Sequence, residues 1–198
     1  MQSRIAADLA RLGVRRMLLA IHDASFPADA DEDPGRGSPA TRAGERLFAY
    51  ARSLGFTGIQ LGPAGQTSRD NASPYDATLF SRHLGNLALD SLRPGGAFAG
   101  LVASAVLDGV LAPGPRVQQR RAYDAIHAVV AAAYAGLDAR PDLRAALATF
   151  RAANAAWLEH DALYAVLFAA RNAARSARRS GRASRAAYAA ATTRWIAS

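Results

Sequence analysis

Apolar and polar positions follow two different rhythms along this chain. Up to about residue 97, short apolar runs are separated by turn-formers; beyond it, apolar residues recur at three- and four-residue steps. The stretch DLARLGVRRMLLAIHDASFP, residues 8–27, predicts a short helix stopped at Gly13 and then a buried strand. The apolar run 17–21 is bounded by Arg15 and Arg16 on one side and by turn-prone residues 23–27 on the other. An uninterrupted apolar strand suits a parallel sheet covered on both faces.

Residues 28–44, ADADEDPGRGSPATRAG, read as a loop. Ser38 or Thr41 is placed to cap a helix through RAGERLFAYARSLG, with Leu47, Phe48, Tyr50, Ala51 and Leu54 inward and Gly55 as its stop. FTGIQL then reads as a second strand. Residues 15–62 are thus a strand–helix–strand unit, whose strands should be parallel. Past residue 97 no further strand is predicted. Residues 97–112 read as helix ended by PGP, and helices follow around 117–135, from Pro141 to about 173, and around 182–196. In the long helix, Leu143, Leu147, Phe150, Asn154, Trp157, Leu158, Asp161, Tyr164, Ala165 and Phe168 fall largely on one face. The expected division is a βαβ head with a long loop, residues 1–97, and an α-helical body, residues 98–198.

Composition narrows the chemistry. The 198 residues include no Cys, so disulfides, thiolate metal sites and a Cys nucleophile are excluded. Four scattered His without metal-ligand spacing predict no metal, and nothing predicts a cofactor. The early arginines leave no signal-peptide core, and no apolar run is long enough to span a bilayer, so the expectation is a cytoplasmic protein without a membrane partner. The net charge of +8 is unevenly placed. Residues 1–115 hold 11 Arg and 11 acids, whereas residues 116–198 hold 13 Arg and 5 acids. All basic residues are Arg, a compositional bias that discounts the charge as a sign of nucleic acid. The series Arg171, Arg175, Arg178, Arg179, Arg182 and Arg185 reads either as a phosphate-binding stripe or as a solvated helix end.

The unusual segment is GFTGIQLGPAGQTSRDNASPYDATLF, residues 55–80, dense in turn-formers and hydroxyls. In parallel α/β architectures, ligands collect at the loops after the strands. That rule selects IHDASFP after the first strand and LGPAGQTSRDNASPYD after the second. Gly62, Pro63 and Gly65 shape the turn there; His22, Ser25, Ser73, Tyr75 and Asp76 offer polar groups. Hydroxyls beside an aromatic suit a sugar, which stacks through its flat face and hydrogen-bonds around its rim.

These residues resemble 4-α-glucanotransferases (amylomaltase or disproportionating enzyme, glycoside hydrolase family 77). Leu61-Gly62-Pro63-Ala64-Gly65, Ser73-Pro74-Tyr75, Gly85-Asn86 and Leu89-Asp90 match the pattern L-G-P-T-G, S-P-Y, G-N-P and an acid near I-D-L. Upstream, His22, Ser25 and Pro27 match L-H-x-T-S-L-P. Downstream, Phe150, Arg151, Trp157, Leu158, Ala162, Leu163 and Tyr164 match the F-R-x-x-x-x-x-W-L-x-x-Y-A-L-F-x-A-L helix. Ala64 stands for the pattern's Thr, Leu87 for its Pro, and the spacer before Ser73 is longer and lacks the Tyr that many members carry.

The resemblance implies the start of an incomplete (β/α)8 TIM barrel, an α/β fold, with a mainly α-helical inserted subdomain. It implies a maltooligosaccharide or other α-1,4-glucan as ligand, and retaining transfer of glucan segments. It assigns Tyr75 and Ser73 to the sugar, with Asp76, His22 and Ser25 nearby, and Gly62, Pro63, Gly65, Pro74, Gly85 and Asn86 to shaping the loops. His22 reads equally as a satisfied histidine ending a strand. The family's nucleophilic Asp, acid/base Glu and stabilising Asp lie on later strands, so the expectation is that this chain alone does not catalyse. Asp23, Asp70 and Asp76 are the acids on the predicted site face, and Asp70 and Asp76 read as supports of Asx-type turns. The alternatives are a non-catalytic relative binding glucan or a protein, self-associating through unpaired strand edges, and a basic helical nucleic-acid binder.

Overall fold

A computed structural model of the chain describes residues 2–73, 75 and 77–179. Helix α1, Gln2–Arg11, ends in a turn closed by Gly13, whose φ of 71° is ready for a glycine and strained for other residues. Strand β1, Leu18–Ala20, pairs in parallel with β2, Gly58–Gln60, in the register Leu18↔Gly58, Leu19↔Ile59 and Ala20↔Gln60. Hydrogen bonds from Thr57 N to Met17 O at 2.8 Å and from Ile21 N to Gln60 O at 3.0 Å extend the ladder at both ends. Helix α2, Arg42–Ser53, connects the strands, so the predicted strand–helix–strand unit is present and parallel.

Two side chains satisfy the first amides of α2. Thr41 Oγ1 accepts from Gly44 N at 2.9 Å, and the Glu32 carboxylate accepts from Arg42 N and Ala43 N at 2.8 and 3.1 Å. A buried carboxylate at a helix N-terminus also complements the helix dipole. Of the residues expected inward on α2, Ala51 is buried and Tyr50 is exposed. The sheet is two-stranded and Leu18 is 54% exposed, so β1 is not covered on both faces as its sequence suggests.

Among the described residues the chain divides into two units. The first comprises residues up to Ala77 together with Arg82–Leu147, the second Thr78–Ser81 together with the described residues from Ala148 onward. The core of the first unit joins Leu89, Leu92, Val102, Leu107, Ile126 and Val129, with contributions from both sides of residue 97. Leu107 lies on the short helix α3, Ser104–Gly109, and Ile126 and Val129 on α4, Gln119–Ala135. The helix expected over 97–112 is confined to α3. Gly100 has φ 86°, and the Phe98 amide turns back to Ser91 O at 2.8 Å, so the preceding residues form turns instead.

Helix α5, Pro141–Arg179, begins at the proline that predicts its start. In the second unit Asp161 is buried because it holds a loop. Its Oδ2 accepts from Ser81 Oγ at 2.6 Å and from the amides of Ser81 and Phe80. Phe80 lies 6.1 Å from Trp157, which meets Phe150 edge-on and donates from Nε1 to Asn154 Oδ1 at 3.0 Å. Phe150 and Tyr164, expected on the inward face, are substantially exposed. The helix expected around 182–196 lies outside the described residues.

Candidate functional site

Parallel pairing sends the chain off the same end of both strands. After β1, His22 leads into a 3-10 turn, Asp23–Ser25; His22 and Ser25 are exposed and Asp23 is buried. After β2, Gly62 turns the chain with φ 75°, and Gly65 pairs antiparallel with Arg82. The intervening loop is tied locally. Ser73 N donates to Asn71 Oδ1 at 3.0 Å and Asn71 N to Ser68 Oγ at 3.1 Å. Asn71 therefore makes the Asx-type turn expected of Asp70, which instead pairs with Arg120 at 2.8 Å. Arg69 clamps the loop to α4 through two bonds to Asp124, at 2.7 and 2.8 Å. Tyr75 stands 87% exposed beyond this anchored stretch. Pro74 and Asp76 lie outside the described residues, as do Arg182 and Arg185.

A cluster of polar groups lies buried beside His22. Arg36 Nη2 lies 2.8 Å from Asp23 Oδ2, and Asn86 joins both, donating from Nδ2 to Asp23 Oδ2 at 2.9 Å and accepting from Arg36 Nη1 at 3.0 Å. On the other carboxylate oxygen, His22 Nδ1 sits at 2.8 Å and the Ala24 amide at 2.7 Å. Burial by itself raises the Asp23 carboxyl. The Arg36 guanidinium, the hydrogen bonds and the His22 ring outweigh it and hold the group below the ordinary aspartate range. A carboxyl so ionised is the opposite of a general acid, which needs a raised pKa.

His83 forms the neighbouring layer. Its Nε2 bonds Thr67 Oγ1 at 2.9 Å, and its Nδ1 accepts from Gly85 N at 2.8 Å. Burial first, and then the nearby Arg36 charge, push its pKa down to about 4, so it is a neutral structural imidazole at pH 7. With Nδ1 accepting, Nε2 carries the proton given to Thr67. Gly85 is glycine for a spatial reason: a Cβ there would lie 2.6 Å from Arg36 Nη1 and 2.8 Å from His83 Nδ1.

A cavity of about 10 Å³ lies among Arg36, Gln66, His83, Tyr123 and His127, too small for a sugar ring. A depression of about 530 Å³ lies beside Phe48, Arg52, Phe56 and Ile59. Neither is lined by His22, Ser25, Ser73 or Tyr75; His22, Ser25 and Tyr75 are exposed and Ser73 is half-buried. Among the described residues no cluster of three or more His, Asp or Glu could hold a metal ion, and no helix is long and apolar enough to cross a membrane.

Sequence reasoning singled out Asn86 and Gly85 as shapers of the loop without their partner, Arg36. The available signal was an Arg between two glycines, Gly35 and Gly37, in an otherwise acidic loop. No curated protein and no solved structure matches the chain. The model of one family, 4-alpha-glucanotransferase (glycoside hydrolase family 77), matches residues 30–195. That match takes in the Arg36 loop, the Ser73-Pro74-Tyr75 sequence, the Gly85-Asn86 pair and the long helix, and on it the chain belongs to the 4-alpha-glucanotransferase family.

Proposed function

We propose that this chain forms one wall of an α-1,4-glucan site in a 4-α-glucanotransferase-like protein, and that the βαβ unit is the beginning of a (β/α)8 barrel with an α-helical subdomain attached. The carrying observation is the family match over residues 30–195, within which Tyr75 is 87% exposed. An exposed tyrosine on an anchored loop offers a flat ring for stacking on a pyranose face and a hydroxyl for its rim. In this reading Ser73, His22, Ser25 and Asp76 are the polar groups assigned to the sugar, Asp76 lying outside the described residues.

In the reaction proposed, an α-1,4-glucan segment passes to a carboxylate with retention and then to the 4-hydroxyl of a second glucan. Retaining transfer needs one carboxylate nucleophile and one raised-pKa acid. Asp23 is committed to Arg36 and held ionised, and Asp70 is paired with Arg120 and Arg69. The residues described therefore favour binding over turnover, and the chain alone should not disproportionate maltotriose. The test is maltoheptaose titration of wild type and Tyr75→Ala beside a maltotriose assay. Weaker binding by the variant and no turnover support the reading; equal affinities remove Tyr75 from the site.

A second reading rests on the sheet. Each of the two strands has one edge without a ladder partner among the described residues, which favours self-association by strand addition. Sedimentation velocity across a concentration series tests it, and a concentration-independent monomer rejects it.

A further inference from the structure

The loop that carries Tyr75 meets α4 through charges set in complementary order. We propose that Arg69 and Asp70 are positioning residues: by gripping Asp124 and Arg120, they set where the Tyr75 ring stands for a sugar. The inference deepens the glucan reading and rests on it for the identity of the ligand.

Arg69 Nε and Nη2 donate to the two Asp124 carboxylate oxygens at 2.7 and 2.8 Å, a forked geometry that fixes direction as well as distance. Beside this pair, Asp70 Oδ1 lies 2.8 Å from Arg120 Nε. Arg120 and Asp124 stand one turn apart on the same face of α4, whereas Ala122, Ile126 and Val129 are buried in the core. Consecutive loop residues of opposite charge thus meet helix residues of opposite charge. A loop shifted by one residue along α4 would set like charges together.

The loop is tied on both sides of this grip. Toward its base, Gly65 pairs with Arg82, and Thr67 bonds the buried His83. Toward its tip, Asn71 N donates to Ser68 Oγ and Ser73 N to Asn71 Oδ1, which carries the order to within two residues of Tyr75. Tyr75, 87% exposed, buries too little of its own side chain to fix its place. The four charged side chains are between 47% and 69% exposed, and ion pairs this open add little to stability. Since α4 is already held by its buried face, what the pairs decide is the place of the loop.

Charge exchange tests the proposal. Asp124→Arg sets a second guanidinium against Arg69, and the paired change Arg69→Asp with Asp124→Arg restores the attraction with its signs reversed. Arginine is a better helix former than aspartate and the Asp124 side chain is 52% exposed, so α4 should keep its fold. Should Asp124→Arg fail to fold, Asp124→Asn, which keeps the shape and removes the charge, takes its place.

The first readout is 15N relaxation of the Asn71, Ser73 and Tyr75 amides in the full chain. Order parameters should be about 0.85 in wild type, fall toward about 0.6 in Asp124→Arg and recover in the exchanged pair. The second is maltoheptaose titration: affinity should fall about fivefold, the reach of one exposed ion pair, and recover together with the loop order. Unchanged order parameters in Asp124→Arg, or a loss that the exchanged pair does not recover, overturn the proposal. So does a loosened loop that binds maltoheptaose as tightly as wild type. A wild-type chain without maltoheptaose affinity rejects the glucan reading, while the order parameters still decide whether these charges hold the loop.

Discussion

Arg36 and Asp23 form an ion pair at 2.8 Å with both side chains almost wholly removed from water. The two residues come from loops that the sheet and α2 hold together, and the pair joins the turn after β1 to the segment preceding α2. Desolvating both charges is costly, and the arrangement is sustained by the additional hydrogen bonds to Asn86 and Ala24 N, with the His22 ring 2.8 Å from the carboxylate. One group stays unsatisfied: Arg36 Nε is buried with no hydrogen-bond partner among the described residues.

Removing one member should therefore hurt more than an average substitution. Arg36→Ala leaves the Asp23 carboxylate buried and unpaired, and should cost about 3–5 kcal/mol. Asn86→Ala should cost about 1–3 kcal/mol. Urea unfolding followed by circular dichroism measures both, and an Arg36→Ala loss under about 1 kcal/mol would show that water reaches the pair.

His83 makes stability depend on pH in a defined direction. Its folded pKa, about 4, lies below the ordinary 6.5, so between those values the unfolded chain binds the proton and the folded chain does not. The contribution is complete above about pH 6.5, falls as pH drops toward 4, and amounts to about 3 kcal/mol. The Asp23 contribution is lost only below the ordinary aspartate value of 3.8, because its folded pKa is lowered. Denaturant midpoints measured from pH 7 to pH 4 should decline, and His83→Gln should flatten that decline.

Three glycines should respond differently to alanine. At Gly62, φ is 75° with open space around it, so Gly62→Ala should cost only backbone strain, about 1–2 kcal/mol. Gly85→Ala forces the new methyl against Arg36 and His83 and should cost more. At Gly37 the added carbon would overlap the backbone carbonyl of Phe26, which cannot move aside as a side chain can, so this variant should be the least stable. Thermal midpoints should rank Gly62→Ala highest and Gly37→Ala lowest; any other order refutes the steric account.

Leu107 is fully buried among Leu89, Leu92, Val102, Ile126 and Val129. Leu107→Ala should cost about 2–5 kcal/mol, depending on how far α3 and α4 collapse around the cavity. By contrast, Tyr75→Ala should leave the unfolding midpoint unchanged, since the side chain is 87% exposed. A large destabilisation by Tyr75→Ala would mean that this ring packs rather than waits for a ligand.

What the sequence determined by itself is local. Apolar runs bounded by arginines and turn-formers placed both strands; Thr41 and Pro141 marked where helices begin; Gly13 and Gly55, each at positive φ, marked where helices stop. These signals reside in a few neighbouring residues, because capping and backbone freedom act over one turn. The tertiary structure decided which polar residues meet. Arg36, Asn86 and Asp23 are separated by 50 and 63 positions across their contacts, and no periodicity links them. It also decided that Tyr50 and Leu18 face outward, since the two strands found among the described residues and the helix connecting them supply too little surface to cover every apolar side chain.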